Sequence, residues 1–510
     1  KKEMAKQIPE EVIEFIKYLS NSLEQQKQDV QKELIYLYDH RFNELTSKYF
    51  TEGKSWPAYE ELKESNVFSD VKYVRKDGEE IFKALYNEIR IRHIYAKHQS
   101  DVTVHLAKES YENYHTLFSL LTEYEKYEKQ IKLPKQWIWN IIDEYIYQFS
   151  NFCKYRSQPK FKKDDEVEIL QKQGNDIWNA VAVMRQLHSL VEVSQIRQKL
   201  NENKEVNLYD IMNCIGYFSM IGLLRINVLF GDFYSGLQAV SCLDLFDKAV
   251  LKTRITASVV TLFFYTSFSY VMLRRYYDAV KCLQIILNHI LKTKQPYSKS
   301  YQTDNVSKIT DQMYALLAIT VSLCSCRLDE SVHMALREKY SKEITQMQRG
   351  EESVYDELFR FAQPKSVTPN ASLVYGKNVK KNIPQNNLSK VFKREIKQSQ
   401  EYLPAIRTFL RLYTSITLEK LGNFIDCNDV DLVRGYLLRL KHKTIQLQFS
   451  KNHRTFHQPL THDFPSSMTD VDYHLINDMV NIADSTHTRH YADCFIKNTE
   501  ALNEILGSIE

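Results

Sequence analysis

LEKLGNFIDCNDVDLVRGYLLRLKHKTIQLQF, Leu418–Phe449, is the stretch that decides how the C-terminal part of this chain folds. Leu418, Leu421, Phe424 and Ile425 recur at helical spacing, which predicts one short helix with an apolar face. Asp426-Cys-Asn-Asp429 then supplies turn and cap chemistry, because short polar side chains accept hydrogen bonds from the free N–H groups of a helix start. The next helix carries Leu432, Val433, Tyr436, Leu437 and Leu440. In Ile445, Leu447 and Phe449 the period changes to strand alternation. After a polar insert, Val471, Tyr473 and Leu475 alternate up to Asn477–Asp478, a turn pair that tolerates positive φ, and Met479–Ala483 returns as a second strand. Helix, turn, helix and hairpin in this order predict a winged helix within Ala405–Asp484. Its expected core is Leu421, Phe424, Leu432, Val433, Tyr436, Leu437 and Leu440.

A winged helix often reads DNA with the N-terminal residues of its second helix. Here that end carries Asp429 and Asp431, which repel phosphates. The basic Arg439, Lys441, His442 and Lys443 lie at the opposite end, where they suit the helix dipole. Packing against protein partners is therefore the better reading, with exposed hydrophobic residues of the wing as the expected contacts. Beyond the module, Tyr491, Phe495, Asn498, Leu502, Ile505 and Ile509 recur at alternating spacings of four and three, a heptad-like seam. Such a seam either folds back on its own chain or joins helices of other subunits. The second is preferred, because the seam follows a completed module.

Upstream the chain is helical in character. Twelve glycines and eleven prolines among 510 residues are well under half of the usual share of about 12%. Little material is left for hairpins or phosphate loops. Tyrosine (33) and phenylalanine (25) are abundant, and Tyr favours amphipathic contact surfaces. A net charge of +4 with intermixed signs does not demand a nucleic-acid partner. Cys153, Cys214, Cys242, Cys282, Cys324, Cys326, Cys427 and Cys494 form no C-x-x-C pair and fall mostly in apolar helical stretches, which suits a reducing cytosolic or nuclear compartment. No signal peptide is visible, and a chain opening at Lys1 without Met can lack its true N-terminus. Ile255–Leu273 carries no charge, but its threonines, serines and tyrosines predict a buried helix rather than a bilayer span.

Periodicity predicts helices in Glu10–Phe50, Ile81–Lys97, Tyr111–Tyr127 and Gln136–Phe152, with a polar break at Ser157–Glu168. From Ile177 helices come in pairs. Leu229–Val240 lines up with Met272–Leu283 at an offset of 43 residues, matching Phe233 with Tyr276, Gly236 with Ala279 and Val240 with Leu283. Small and aromatic residues so placed resemble tetratricopeptide-like (TPR-like) repeats, although an irregular helical stack leads to the same architecture. Lys365–Asn387, with Pro364, Pro369 and Pro384 in and around it, reads as a linker, and helix resumes at Leu388–Tyr413.

Catalytic motifs were sought. Gly53–Lys54–Ser55 imitates the end of a phosphate loop, but the earlier glycine position holds Lys48. There is no G-x-G-x-x-G, G-x-S-x-G, H-E-x-x-H or H-x-H. His453, His457 and His462, and separately His487, His490 and Cys494, lack a complete metal-ligand spacing and read as surface residues. Cys324–Ser–Cys326 reads as a pair of ordinary core and boundary residues. No catalytic residue, metal site or cofactor is expected.

Several segments go beyond generic architecture. Leu133–Phe149 (LPKQWIWNIIDEYIYQF), Trp178–Ile196 with its Leu187–Val191 core, Gly216–Arg225, Met313–Ile319, Asp329–His333 and Asp478–Asp484 resemble, in order, the family of subunit L of eukaryotic translation initiation factor 3. The resemblance implies a PCI-domain protein, mainly α: a helical-repeat arm ending in a winged helix, plus a C-terminal amphipathic helix. It implies a non-catalytic, cytoplasmic scaffold subunit supporting recruitment of the small ribosomal subunit and mRNA. Winged helices of several subunits pack edge to edge in that family and C-terminal helices gather in a bundle, so the expected partners are subunits K and E and the bundle. No membrane contact is expected, and direct RNA contact stays open. The alternative is a PCI subunit of another assembly, of the messenger-RNA export or proteasome-lid-like kind, that binds RNA directly. The expected divisions are an N-terminal helical region (1–158), TPR-like repeats (169–363), a linker (364–387), the winged-helix part (388–484) and a bundle helix (485–510). The 450–469 insert and the 365–387 linker differ in composition from the family pattern.

Overall fold

The computed structural model describes residues 8–24, 34, 37–50, 55–65, 67–68, 79–97, 102–122, 133–157, 168–170, 176–201, 210–243, 245, 255–292, 301–324, 326, 328–368, 384–400, 402–427, 429–448, 464–467, 472–483, 498–499, 502–503 and 506. The helices among them are α1 (Glu10–Glu24), α2 (Phe42–Tyr49), α3 (Tyr59–Glu64), α4 (Glu79–Lys97), α5 (Val104–Thr122), α6 (Lys135–Ser157), α7 (Ala180–Ser194), α8 (Ile196–Asn201), α9 (Ile211–Phe230) and α10 (Phe233–Ala239). They continue as α11 (Thr256–Met272), α12 (Tyr276–Lys292), α13 (Tyr301–Leu323), α14 (Glu330–Gln348), α15 (Glu352–Ala362), α16 (Pro384–Gln400) and α17 (Leu403–Leu412). Then follow β1 (Ser415–Thr417), α18 (Leu418–Phe424), α19 (Val430–Thr444), β2 (Ile445–Gln448), β3 (Phe464–Ser467), β4 (Asp472–Ile476) and β5 (Met479–Ala483). The molecule is mainly helical, as composition and periodicity predict. It divides into two compact units, Lys1–Tyr265 with Pro364–Pro384, and Thr266–Gln363 with Gln385–Glu510.

In the first unit α6 buries Trp137, Trp139, Ile142, Tyr145 and Phe149. Trp178 completes an aromatic cluster there, its ring centroid 5.1 Å from that of Tyr145 and 6.0 Å from that of Tyr114. Its indole Nε1 donates to the buried Ala107 carbonyl at 2.9 Å, so the polar edge of the ring is satisfied. Helix α5 starts seven residues before the expected Tyr111. Thr103 caps it, its Oγ1 accepting from Leu106 N–H at 3.3 Å, and the helix opens at Val104.

Among the described residues α9 is long and apolar enough to cross a bilayer, but its window is 89% buried within the protein. It packs on α6, α7 and α10, and its Arg225 pairs with Asp143 of α6, which is the behaviour of a core helix. Helix α11, within the uncharged stretch considered above, spans 17 residues and buries Ser258, Thr266, Ser267 and Ser269 with its apolar side chains.

The 43-residue offset has a structural counterpart at two helix corners. Gly231 (φ +90°) ends α9, its N–H donating to Val228 O at 3.1 Å while Asp232 N–H donates to Asn227 O at 2.9 Å. Forty-three positions on, Arg274 (φ +61°) ends α11, with Arg274 N–H on Val271 O at 3.1 Å and Arg275 N–H on Tyr270 O at 2.8 Å. These are the same left-handed closures on the last free carbonyls of a helix. Gly231 adopts the geometry at no steric cost, whereas Arg274 bears about 1 kcal/mol or more for its Cβ. The following residues diverge: Asp232 caps α10 through Ser235 N–H at 3.0 Å, while the buried Arg275 grips Asp278 through Nε (3.0 Å) and Nη2 (2.7 Å).

Helix does not run unbroken from Leu388 to Tyr413. Pro384 opens α16, inside the stretch read as linker, and Tyr402 (φ −130°, ψ −20°) separates α16 from α17, which carries Pro404 in its first turn. Proline is compatible with a first turn because no intrahelical partner awaits its missing N–H. Residues 369–383 of the linker, the 450–463 part of the insert, both histidine clusters and Gly53–Lys54 lie outside the described residues.

Candidate protein-docking surface of the C-terminal module

From α17 onward the elements run helix, strand, helix, helix and four further strands. Strand β1 pairs antiparallel with β5 (Ile416 opposite Val480), and β5 with β4 (Tyr473 opposite Ile482), giving the sheet order β1-β5-β4. Asn477 (φ +54°) occupies the β4–β5 turn, the position expected to need a left-handed residue. The strand read from Ile445 is present as β2, but it pairs with β3, supplied by the polar insert, in a separate two-stranded sheet. Strand β1 was not anticipated, since three residues are too few to establish alternation.

The core of the module is one cluster that includes Leu403, Ile406 and Leu410 of α17, Ile416, Leu418, Leu421, Val433, Leu437, Leu440, Tyr473 and Val480. Two residues expected there are on the surface instead. Leu432 is 51% exposed and Phe424 40% exposed. On α19 the inward stripe is Val433, Leu437 and Leu440, and one residue of helix turns a side chain by about 100°, which carries Leu432 out of that stripe. Phe424 ends α18 and stacks sideways on Phe409 (5.0 Å between centroids) and Tyr413 (6.0 Å). Tyr436 is half-buried against Tyr402 at 4.6 Å.

The acidic start of α19 is engaged within the protein. Asp429 Oδ1 accepts from Asp431 N–H (2.9 Å) and Leu432 N–H (3.4 Å), and Arg434 reaches both Asp431 (3.1 Å) and Asp478 at the β4–β5 turn (2.8 Å). Leu418 N–H also donates to Asp478 O at 2.9 Å, so the turn is held from two helices. At the basic end, Lys441 Nζ donates to Tyr473 O at 3.3 Å and Tyr473 Oη to Leu437 O at 2.7 Å. Burial pushes the Tyr473 phenol above its ordinary range, so it stays a neutral donor.

Two patches remain uncovered. At the β4–β5 turn Ile476 (58% exposed) stands directly opposite Met479 (43%) in register, so both side chains share one face of the hairpin. At the other, Leu412 (73% exposed) lies near the Phe409–Tyr413–Phe424 stack in sequence, and Lys420 Nζ sits 5.0 Å from the Tyr413 ring. Exposed apolar side chains fixed on rigid elements suit protein contacts. Nothing in sequence marks them, because an exposed and a buried leucine are written alike. Of the C-terminal seam, Asn498 and Leu502 are helical and exposed, while Tyr491, Phe495, Ile505 and Ile509 lie outside the described residues.

Comparison with known proteins adds a family. The family model described as RNA polymerase I-associated factor PAF67 matches residues 107–502. A Nematostella vectensis protein named eukaryotic translation initiation factor 3 subunit L is 35% identical over 99% of this chain and 93% of its own length. Proteins of the same name from Gallus gallus and Homo sapiens are 35% and 34% identical, each over 92% of this chain and 82% of their own.

Proposed function

This chain belongs to the family of subunit L of eukaryotic translation initiation factor 3, and from that premise we propose that it is a non-catalytic scaffold subunit of that factor. The observation that carries the reading is similarity along nearly the whole chain, including the C-terminal module, to proteins bearing that name. In this reading the helical segments form a TPR-like arm (169–363) after the N-terminal helical region (1–158). The linker (364–387) leads into the winged-helix part of a PCI domain (388–484), and 485–510 is a bundle helix. The wing-tip pair Ile476 and Met479, the Phe424 patch and the seam from Tyr491 to Ile509 bind neighbouring subunits, expected to be K and E and the C-terminal bundle. Through the complex the chain supports recruitment of the small ribosomal subunit and mRNA in the cytoplasm.

The exposed apolar residues support this, since an isolated chain gains nothing from presenting them to water. The engaged Asp429, Asp431 and Arg434 argue against use of the α19 start on nucleic acid. The description of the matching family model points instead to RNA polymerase I. Purifying the tagged full chain from its own cells and identifying its partners separates the two. Initiation factor 3 subunits should co-purify, and Ile476→Asp with Met479→Asp should lose them at an unchanged unfolding midpoint. Recovery of RNA polymerase I without any initiation factor subunit would overturn the proposal. Steep salt dependence of RNA binding by the full chain would favour a directly RNA-binding role.

A further inference from the structure

Cys324 and Cys326, which read from sequence as a core and a boundary residue, are brought together as a thiol pair. Their Sγ atoms lie 3.2 Å apart. Cys324 is buried just beyond the end of α13, its N–H donating to Thr320 O at 2.9 Å, while Cys326 is partly exposed. Cys326 N–H donates to Cys324 O at 2.9 Å, which ties the two residues together through the backbone as well. A disulfide requires Cα atoms within about 7 Å of each other. With the sulfurs already 3.2 Å apart and the two backbones joined by a hydrogen bond, bridging needs little movement.

The setting also separates Cys326 from the other thiols. Burial pushes Cys153 and Cys214 up to about 12 and raises Cys242 and Cys282 as well. Cys326 is held below the ordinary thiol range by the hydrogen bond with Cys324 and, more weakly, by the Lys281 ammonium, which overcome its partial burial. Lys281 Nζ is itself placed 4.1 Å over the Tyr277 ring. A partly exposed thiol of lowered pKa beside a second thiol is the arrangement of an attacking and a resolving cysteine. Among the described residues no third His, Cys, Asp or Glu joins the pair in a metal-ion set, which favours exchange chemistry over metal capture.

We propose that Cys324 and Cys326 form a reversible dithiol–disulfide centre that exchanges with small disulfides of the glutathione type. The Cys326 thiolate attacks one sulfur of glutathione disulfide, forming a mixed disulfide and expelling a glutathione thiolate, which takes up a proton. Cys324, losing its proton, then attacks Cys326 Sγ, closing the Cys324–Cys326 bond and releasing the second glutathione as its thiol. Two cysteine sulfurs are oxidised, and two electrons and two protons leave as two glutathione thiols.

The test uses the full-length native protein equilibrated across ratios of reduced to oxidised glutathione, quenched by acid, alkylated with N-ethylmaleimide and digested with trypsin. Residues 309–327 come off as one peptide holding these two cysteines and no other. Its expected form under oxidising ratios is lighter by two hydrogens and unalkylated, while the peptide of Cys427 still carries the label, and dithiothreitol restores labelling. Cys324→Ser should stop at a glutathione adduct on Cys326, and Cys326→Ser should give no adduct. Full alkylation of both cysteines at every ratio, or an adduct on the unaltered chain that never resolves, overturns the proposal. The readout on the unaltered chain is independent of whether either variant folds, and of the role in initiation.

Discussion

Arg434 ties the β4–β5 turn to α19 of the C-terminal module: its Nη2 lies 2.8 Å from Asp478 Oδ1 while its Nη1 meets Asp431 Oδ1 at 3.1 Å. All three side chains are substantially exposed, so their charges are screened and each pair contributes no more than about 1 kcal/mol. Geometry, rather than stability, is what this bridge supplies. It pins the turn that carries Ile476 and Met479 to a helix whose own face is fixed in the core.

Arg434→Ala should therefore shift the unfolding free energy by less than about 1 kcal/mol. The amide of Leu418, which donates to Asp478 O, should nevertheless exchange faster with deuterium. Hydrogen exchange resolved to single amides measures this. Unchanged protection at Leu418 would show that the ion pair does not restrain the β4–β5 turn.

Leu437 and its neighbour Leu438 provide a sharper contrast. Leu437 is fully buried in the module core and Leu438 is 50% exposed. Leu437→Asp places an unpaired carboxylate among Val433, Leu440 and Tyr473 and should cost about 4 kcal/mol or more. Leu438→Asp should stay within about 0.5 kcal/mol of the parent chain. Chemical denaturation of both variants decides it, and equal losses would contradict the orientation of α19.

The same contrast shows what the sequence conveys about this module. Helical spacing identifies α18 and α19, because the 3.6-residue period leaves a repeating apolar stripe. It does not distinguish Leu432 from Val433, since adjacent apolar residues leave the centre of the stripe undefined by a whole residue. Asn477 and Asp478 announce their turn through backbone chemistry, which is local and therefore readable. The pairing of β2 with β3 depends on a contact between residues some twenty positions apart, and no local pattern encodes it. The docking patches are harder still. Ile476 and Met479 become a patch only because register sets them opposite one another with no cover. The Cys324–Cys326 pair is visible as spacing, but its chemistry depends on the close approach of the two sulfurs and on Lys281 from another helix.

Glu144 provides a pH-dependent test in the first unit. Burial raises its carboxyl from the ordinary 4.5 to about 7, against the opposing pull of the Arg92 charge and the hydrogen bond from Gln148 Nε2 at 3.0 Å. A folded-state value above the unfolded one means that the folded protein holds more protons between about pH 4.5 and 7. The penalty for ionising Glu144 is thus absent below about pH 4.5, grows as pH rises and is complete above about pH 7. Glu144→Gln keeps an acceptor for Gln148 and removes the charge. Its stability relative to the parent should increase across that window, reaching about 3 kcal/mol above pH 7. Denaturation at pH 5 and pH 8 checks the sign. A stability difference that does not grow with pH would mean Glu144 is ionised at little cost in the folded state.

Gly216 tests how closely α7 and α9 approach. A Cβ built there would lie 2.0 Å from Ser194 Oγ and 2.7 Å from Ser194 Cβ, so α9 can pass Ser194 only because this position has no side chain. Ser194 Oγ is committed to Val191 O at 2.8 Å and is buried, which leaves the hydroxyl little room to move aside. Gly216→Ala should cost about 1–3 kcal/mol through overpacking, despite the better helix propensity of alanine. Ser194→Ala should relieve this only in part, because its Cβ stays in place, whereas Ser194→Gly should relieve most of it apart from its own helix cost of about 1 kcal/mol. A double-mutant cycle on unfolding free energies measures the coupling directly. Additive effects for Gly216→Ala with Ser194→Gly would mean that the two helices pack by a different contact.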